Sequence, residues 1–265
     1  MPQAYRLTAA TGLHKGDREY QQDQVSLLSH PRHPGCILAV VADGMGGLSG
    51  GRKASDQVML TASQLFETYS PDSDHGAVLL KQLVRQAHMV IRLTAVSADE
   101  QPHSTIAAFL INPGGDCHWI HAGDSRIYFF KGGQMVKRTQ DHSYVQELVN
   151  RGKITEEEAK VHPNSNILIS CLGTDKESLS DSYQIAQIEA QDVLLACSDG
   201  LWLYLSNQEI ADAVSSLSPR QASEYLIETA LNRAEGHCDN VAVVIVKFEP
   251  LEPSPPLAPR RKGLR

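Results

Sequence analysis

The 265-residue sequence predicts an α+β sandwich rather than a doubly wound parallel sheet. Two observations carry that expectation. Two long stretches with helical periodicity follow one another, over 52–69 and 76–97. Short apolar runs then come at hairpin spacing, separated by glycine-rich turns, which is the signature of antiparallel strands.

The elements follow in order. The run 36–42 is apolar, rich in β-branched residues and stopped by Asp43-Gly44, so it reads as a buried strand. A glycine-rich loop, 44–51, leads into the two helices. In the second helix, Val78, Leu79, Leu83, Ala87, Val90 and Ile91 recur at helical spacing. A Pro71-Asp-Ser-Asp turn divides the helices. The runs 105–111, 117–121 and 125–130, with turns at 113–115 and 132–133, read as an antiparallel meander. Short helices are expected over 143–151 and 155–160, the second opened by Thr155 with Glu158 three residues on, a capping-box pattern. The apolar run 193–198 is again closed by Asp-Gly, at Asp199-Gly200. Helices over 207–214 and 219–234 and a strand over 241–248 complete one domain, 1–248. The remainder, 249–265, holds five prolines and a basic end and reads as a disordered tail.

Composition narrows the function. Hydrophobic residues make up 42% and charged residues 21%, enough for a sizeable core. A net charge of −7 argues against sequence-independent nucleic-acid binding, which needs a basic field. The five cysteines are scattered and form no Cys-x-x-Cys pair, which points to buried thiols in a reducing cytoplasm rather than disulfides or zinc. No run reaches the ~20 apolar residues of a membrane span, so membrane insertion is not expected.

The informative pattern is aspartate at strand ends. Asp43 and Asp199 follow apolar strands and precede glycine. Asp124 lies between two strand-like runs, and Asp239 just precedes the last strand. In an antiparallel sheet such positions share an edge. Carboxylates gathered there repel one another and resist desolvation, which a divalent cation relieves, and all-oxygen ligation selects Mg²⁺ or Mn²⁺ over zinc.

The ordered set of motifs resembles the metal-dependent type 2C protein phosphatase family, in its bacterial branch. It comprises Arg18-Glu-Tyr-Gln-Gln-Asp23, Val41-Ala-Asp-Gly-Met-Gly-Gly47, Ser104-Thr105, Gly123-Asp-Ser-Arg126, Asp141-His-Ser143, Cys171-Leu-Gly173, Ser198-Asp-Gly-Leu201 and Asp239-Asn240. The resemblance implies an α-β-β-α sandwich with central antiparallel sheets and a dinuclear site at one end. It implies that Asp43 bridges two Mn²⁺ or Mg²⁺ ions, that the Gly44 carbonyl binds one, and that Asp199 and Asp239 bind the other. Asp124 matches a ligand to a third, weaker ion, Asp23 orders water, and Arg18 holds the substrate phosphate. Residues 143–168 match the family's variable flap. The activity implied is hydrolysis of phosphoserine and phosphothreonine by metal-activated water. The partners implied are a phosphoprotein and an opposing serine/threonine kinase, with type VI secretion a pathway some relatives control. A cytoplasmic monomer is expected. Four positions depart from the common pattern: Gln21, Gln22, Ser104, and Met45 where eukaryotic relatives often carry a histidine.

Three rival readings remain. Gly47-Leu-Ser49-Gly-Gly51 formally matches a serine-hydrolase elbow, with Asp199 and His237 in the required order, though Ser49 is not on the turn directly after its strand. The glycine-rich loop suggests dinucleotide binding but lacks the third glycine and any Gly-Lys-Ser/Thr. A pseudophosphatase used as a binding module would have lost a metal aspartate, and none is missing.

Overall fold

Strict alternation of side chains along the buried strands sets the architecture, seen in a computed structural model that describes residues 5–98 and 101–251. Strand β3 (Ile37–Ala42) is wholly buried. Leu38, Val40 and Ala42 face one apolar cluster and Ile37, Ala39 and Val41 another, so the strand lies between two layers.

One five-stranded sheet has the order β10 (Asp181–Ile185), β7 (Cys117–Ala122), β6 (Ile106–Ile111), β3, β2 (Gln24–Ser29). The other runs β1 (Tyr5–His14), β12 (Val241–Pro250), β11 (Val193–Cys197), β8 (Arg126–Lys131), β9 (Gln134–Arg138). All pairings are antiparallel. A two-stranded piece joins β4 (Gly44–Met45) to β5 (His103–Ser104).

Helices α1 (Gly47–Thr68) and α2 (Gly76–Ala98) cover the outer face of the first sheet. Helices α5 (Asp199–Trp202), α6 (Asn207–Ser216) and α7 (Pro219–Ala234) cover the other. Phe109, Trp119, Phe129, Val244 and Phe248 fill the space between the sheets. The layers are therefore α-β-β-α, as the resemblance implies.

Helix boundaries follow from capping. The Thr155–Glu158 capping box opens α4 (Glu156–Lys160), and α3 (Tyr144–Asn150) starts at Ser143, whose Oγ accepts from the Gln146 N–H. Ser218 and Gln221 form another box before α7, with Pro219 in its first turn.

The structure corrects the sequence-based expectations in four places. Helix α1 starts at Gly47, inside the glycine-rich stretch expected to be loop. The expected meander is split: β6 and β7 pair in one sheet, whereas β8 pairs with β9 and β11 in the other. Gly123, at φ 103°, makes the turn between sheets, and a Cβ there would lie 2.6 Å from the Thr105 methyl. Strands β1, β2, β9 and β10 carry too much exposed polar surface to show as apolar runs. The last strand continues past 248 to Pro250, with Glu249 opposite Arg6 and bonded to it at 2.7 Å. The rest of the expected tail, from 252 on, lies outside the described residues.

All five cysteines are free and buried. No helix among the described residues is long and apolar enough to cross a membrane.

Phe109 is fully buried between the sheets, so Phe109→Ala should cost about 3–5 kcal/mol, read as a lower urea midpoint with unchanged slope.

Candidate metal centre

Five aspartates meet at one edge of the sandwich, delivered by both sheets. Asp43 follows β3, Asp23 precedes β2, and Asp124 lies in the β7–β8 crossing. Asp199 opens α5 just after β11, and Asp239 precedes β12. Their charges act on one another across that edge. Burial, then the charges of Asp23, Asp199, Asp124 and Asp239, push the Asp43 carboxyl well above the carboxylate range. Burial pushes Asp23 up to about 8, and the charges of Asp199 and Asp239 add to it. Burial and Asp239 push Asp199 up to about 7. Burial, then Asp199 and Asp141, raise Asp124 well above its ordinary value.

The chain holds these groups through its backbone. The Asp43 N–H donates to Thr105 Oγ1 at 2.9 Å, and its carbonyl accepts from Thr105 N–H at 2.8 Å and Ser104 Oγ at 3.1 Å. Ser104, a departure from the family pattern, thus adds a bond that glycine lacks. Asn240 ties the 15–22 loop to β12: its Nδ2 donates to the Lys15 and Tyr20 carbonyls at 2.7 and 3.0 Å, and its Oδ1 accepts from Gln22 N–H at 2.6 Å. Asp17 reinforces this by accepting from the Cys238 N–H at 2.8 Å. Gln21 Oε1 accepts from the Asp23 N–H at 2.9 Å, whereas Gln22 Nε2 donates to the Gly47 carbonyl at 2.7 Å. The fastening roles of Asn240 and Asp17 are not legible in the sequence, because their partners lie more than 200 positions away.

The glycines after Asp43 and Asp199 serve close approach rather than an unusual φ. A Cβ on Gly44 would lie 2.0 Å from the Gly51 carbonyl oxygen, and one on Gly200 2.1 Å from that of Asn240.

Arg18 forms an ion pair with Asp239 and is largely exposed, so its guanidinium stands at the mouth of the aspartate cluster. Met45 pairs with His103 beside it. A cavity of about 340 Å³ extends from Asp124 and Asp199 to Gln146 and Glu156 of the flap helices and to Trp202. Antiparallel pairing of Ser143 with Leu168 closes the base of that flap.

Other groupings do not compete with this edge. Residue 49 lies in the first turn of α1, not on a strand-to-helix elbow. His121, His142 and Asp181 offer atoms within 4.8 Å of one another. However, the two imidazoles stack at 4.6 Å and 17°, so their in-plane lone pairs run side by side instead of converging. His142 Nδ1 also accepts from the Gly123 N–H, at 3.3 Å.

The donor set suits a hard divalent cation. It is all oxygen, and Asp23 Oδ2 is buried without a hydrogen-bond partner. Such an edge, in an α-β-β-α sandwich with an arginine at its mouth, defines a metal-dependent phosphatase of the PPM class. The sequence profile described as protein phosphatase 2C matches residues 13–235, and the chain belongs to that family, in its bacterial serine/threonine phosphatase branch. It is 32% identical over 217 residues to the serine/threonine protein phosphatase PstP of Mycobacterium tuberculosis, covering 80% of this chain but only 40% of PstP. It is 30% identical over 237 residues to the protein phosphatase PhpP of Streptococcus pneumoniae, covering 87% of this chain and 93% of PhpP. The catalytic domain of PstP with two manganese ions superposes with a TM-score of 0.77 at 29% identity, over 92% of this chain and 98% of that one. PppA of Pseudomonas aeruginosa, described as a key regulatory component of its type VI secretion system, superposes with a TM-score of 0.75 at 26% identity, over 91% and 97%.

Gly200→Ala tests the close approach. An ordinary helical glycine gains about 1 kcal/mol of stability on becoming alanine. Here the Cβ meets a backbone oxygen at 2.1 Å, so the variant should instead lose about 1–3 kcal/mol, measured by thermal unfolding in EDTA. Unchanged or raised stability would contradict the packing.

Proposed function

We propose that this chain removes phosphate from phosphoserine and phosphothreonine side chains of proteins. Asp43, the Gly44 carbonyl, Asp199 and Asp239 would hold two Mn²⁺ or Mg²⁺ ions, and Asp124 a third. The observation that carries the proposal is the convergence of five mutually repelling carboxylates beside Arg18. Such cations make water a stronger nucleophile at neutral pH and offset charge on the phosphoryl oxygens.

The protein's own groups do the positioning. Arg18 would grip two phosphoryl oxygens with its planar fork. Asp23 Oδ2, buried and free of other partners, is the acceptor that orients the attacking water. Met45 has no proton to give, so the leaving alkoxide takes its proton from solvent. No phosphorylated side chain is required. The flap over 143–168 borders the cavity beside Asp124 and contributes to substrate selection.

The natural counterpart of this activity is a serine/threonine kinase acting on the same phosphoprotein, with the phosphatase working as a cytoplasmic monomer. The likeness to PppA supports a narrower reading, control of type VI secretion. Deleting the gene should raise phosphorylation on the substrates of that kinase, read by phosphoproteomics.

Turnover of para-nitrophenyl phosphate and of phosphothreonine peptides should require Mn²⁺ or Mg²⁺ and vanish in EDTA, with Asp43→Asn inactive. Full activity in metal-free protein would overturn the proposal. Arg18→Ala should raise KM more than it lowers kcat, as expected where an interaction is equal in the ground and transition states. Asp124→Asn should leave two Mn²⁺ bound by calorimetry while slowing turnover on the order of a hundredfold, a loss of about 3 kcal/mol.

A further inference from the structure

Asp124 sits in the crossing between β7 and β8, outside the ladder of either strand. A further restraint comes from α5. The indole Nε1 of Trp202 donates a buried hydrogen bond of 2.9 Å to the Asp124 carbonyl. The indole is itself clamped: the Arg126 guanidinium lies 3.4 Å from its ring centroid. Arg126 is buried and bonded through both Nε and a terminal nitrogen to Asp141, at 2.8 and 2.7 Å. Asp141 precedes Ser143, the cap of flap helix α3. Trp202, Arg126, Asp141, Asp124 and Asp199 all line the same cavity.

We propose that Trp202 is a positioning residue for Asp124, with the Asp141–Arg126 pair holding the indole in register. This rests on the reading of Asp124 as a ligand to the weaker metal. Three features support it. A bidentate guanidinium–carboxylate pair fixes both position and plane, so the cation stacked on the indole cannot rotate away. Trp202 is nearly buried and its only polar atom is committed to Asp124. Asp199, whose carboxylate belongs to the same cluster, and Trp202 are the first and last residues of α5, so one short helix sets two metal-edge residues at once.

The experiment compares wild type, Trp202→Phe and Asp124→Asn. Phenylalanine keeps an aromatic face for Arg126 and removes the N–H donor. Mn²⁺ binding is followed by calorimetry and turnover on para-nitrophenyl phosphate. In Trp202→Phe the two tight Mn²⁺ events should keep their affinity, the weak event should weaken about tenfold, the loss expected from one net hydrogen bond, and kcat should fall with KM unchanged. A role in packing alone would lower the melting temperature and leave weak-site affinity at the wild-type value, which would overturn the proposal. If Asp124→Asn itself leaves the weak event and turnover intact, the reading of Asp124 fails and the proposal falls with it. If Asp124→Asn removes the weak event but Trp202→Phe does not, only the proposal fails.

A second measurement leaves Trp202 in place. The chain has two tryptophans, Trp119 and Trp202, so Trp119→Phe isolates the indole of interest. Its fluorescence should be quenched by Mn²⁺ in the weak-binding range, and that component should vanish on adding Asp124→Asn. A signal indifferent to Asp124→Asn would overturn the proposal even where Trp202→Phe does not fold.

Discussion

Asp23, Asp43, Asp124 and Asp199 each have their acidity weakened by burial and by the charge of neighbouring carboxylates, and the surrounding framework holds them together against that repulsion. The restraint is backbone-based. Thr105 and Ser104 grip Asp43 above and below its peptide groups. Asn240 and Asp17 lash the Arg18–Asp23 loop to the start of β12. For Asp43 the peptide groups, rather than the side-chain oxygens, carry the restraint. The cost of gathering them is met when cations arrive, so stability and function are expressed at the same edge.

Two sheets are needed for this. A single sheet would align strand ends in a row. Here β3 belongs to one sheet and β11 and β12 to the other, so Asp43 approaches from one layer and Asp199 and Asp239 from the opposite one. The alternation in β3, Leu38-Val40-Ala42 against Ile37-Ala39-Val41, locks the depth at which Asp43 emerges, because a one-residue slip would exchange the two core faces. The close approaches of Gly44 to Gly51 and of Gly200 to Asn240 each pack one layer's own segments tightly at that edge.

Much of this was legible in the sequence, and the limits have physical causes. Asp-Gly after a continuous apolar run marked β3 and β11, because strands covered on both faces need no polar alternation. Helix α7 was readable to the residue, since Ser218-Pro219 and the capping pattern define its start. Strands β1 and β9 were not, because they are edge strands with half their surface in water. The β7–β8 crossing was hidden because hairpin spacing is the same whether the next strand joins its neighbour or leaves the sheet. Of the site, the aspartates and Arg18 stood out by motif. Asn240 was visible only as a motif letter, and Trp202 stands just beyond the Ser198–Leu201 motif. Their importance lies in partners far along the chain, Asp124 at 78 positions from Trp202 and Lys15 at 225 from Asn240, which no local pattern encodes.

The five cysteines gain a meaning from this chemistry. Burial pushes Cys36 up to about 12 and Cys171 and Cys238 up to about 11, and raises Cys117 and Cys197 further still. Oxidants and alkylating agents attack the thiolate, and these thiols are both protonated and covered. The proposed chemistry through carboxylates and water needs no thiolate, and the fold offers oxidants none that is uncovered.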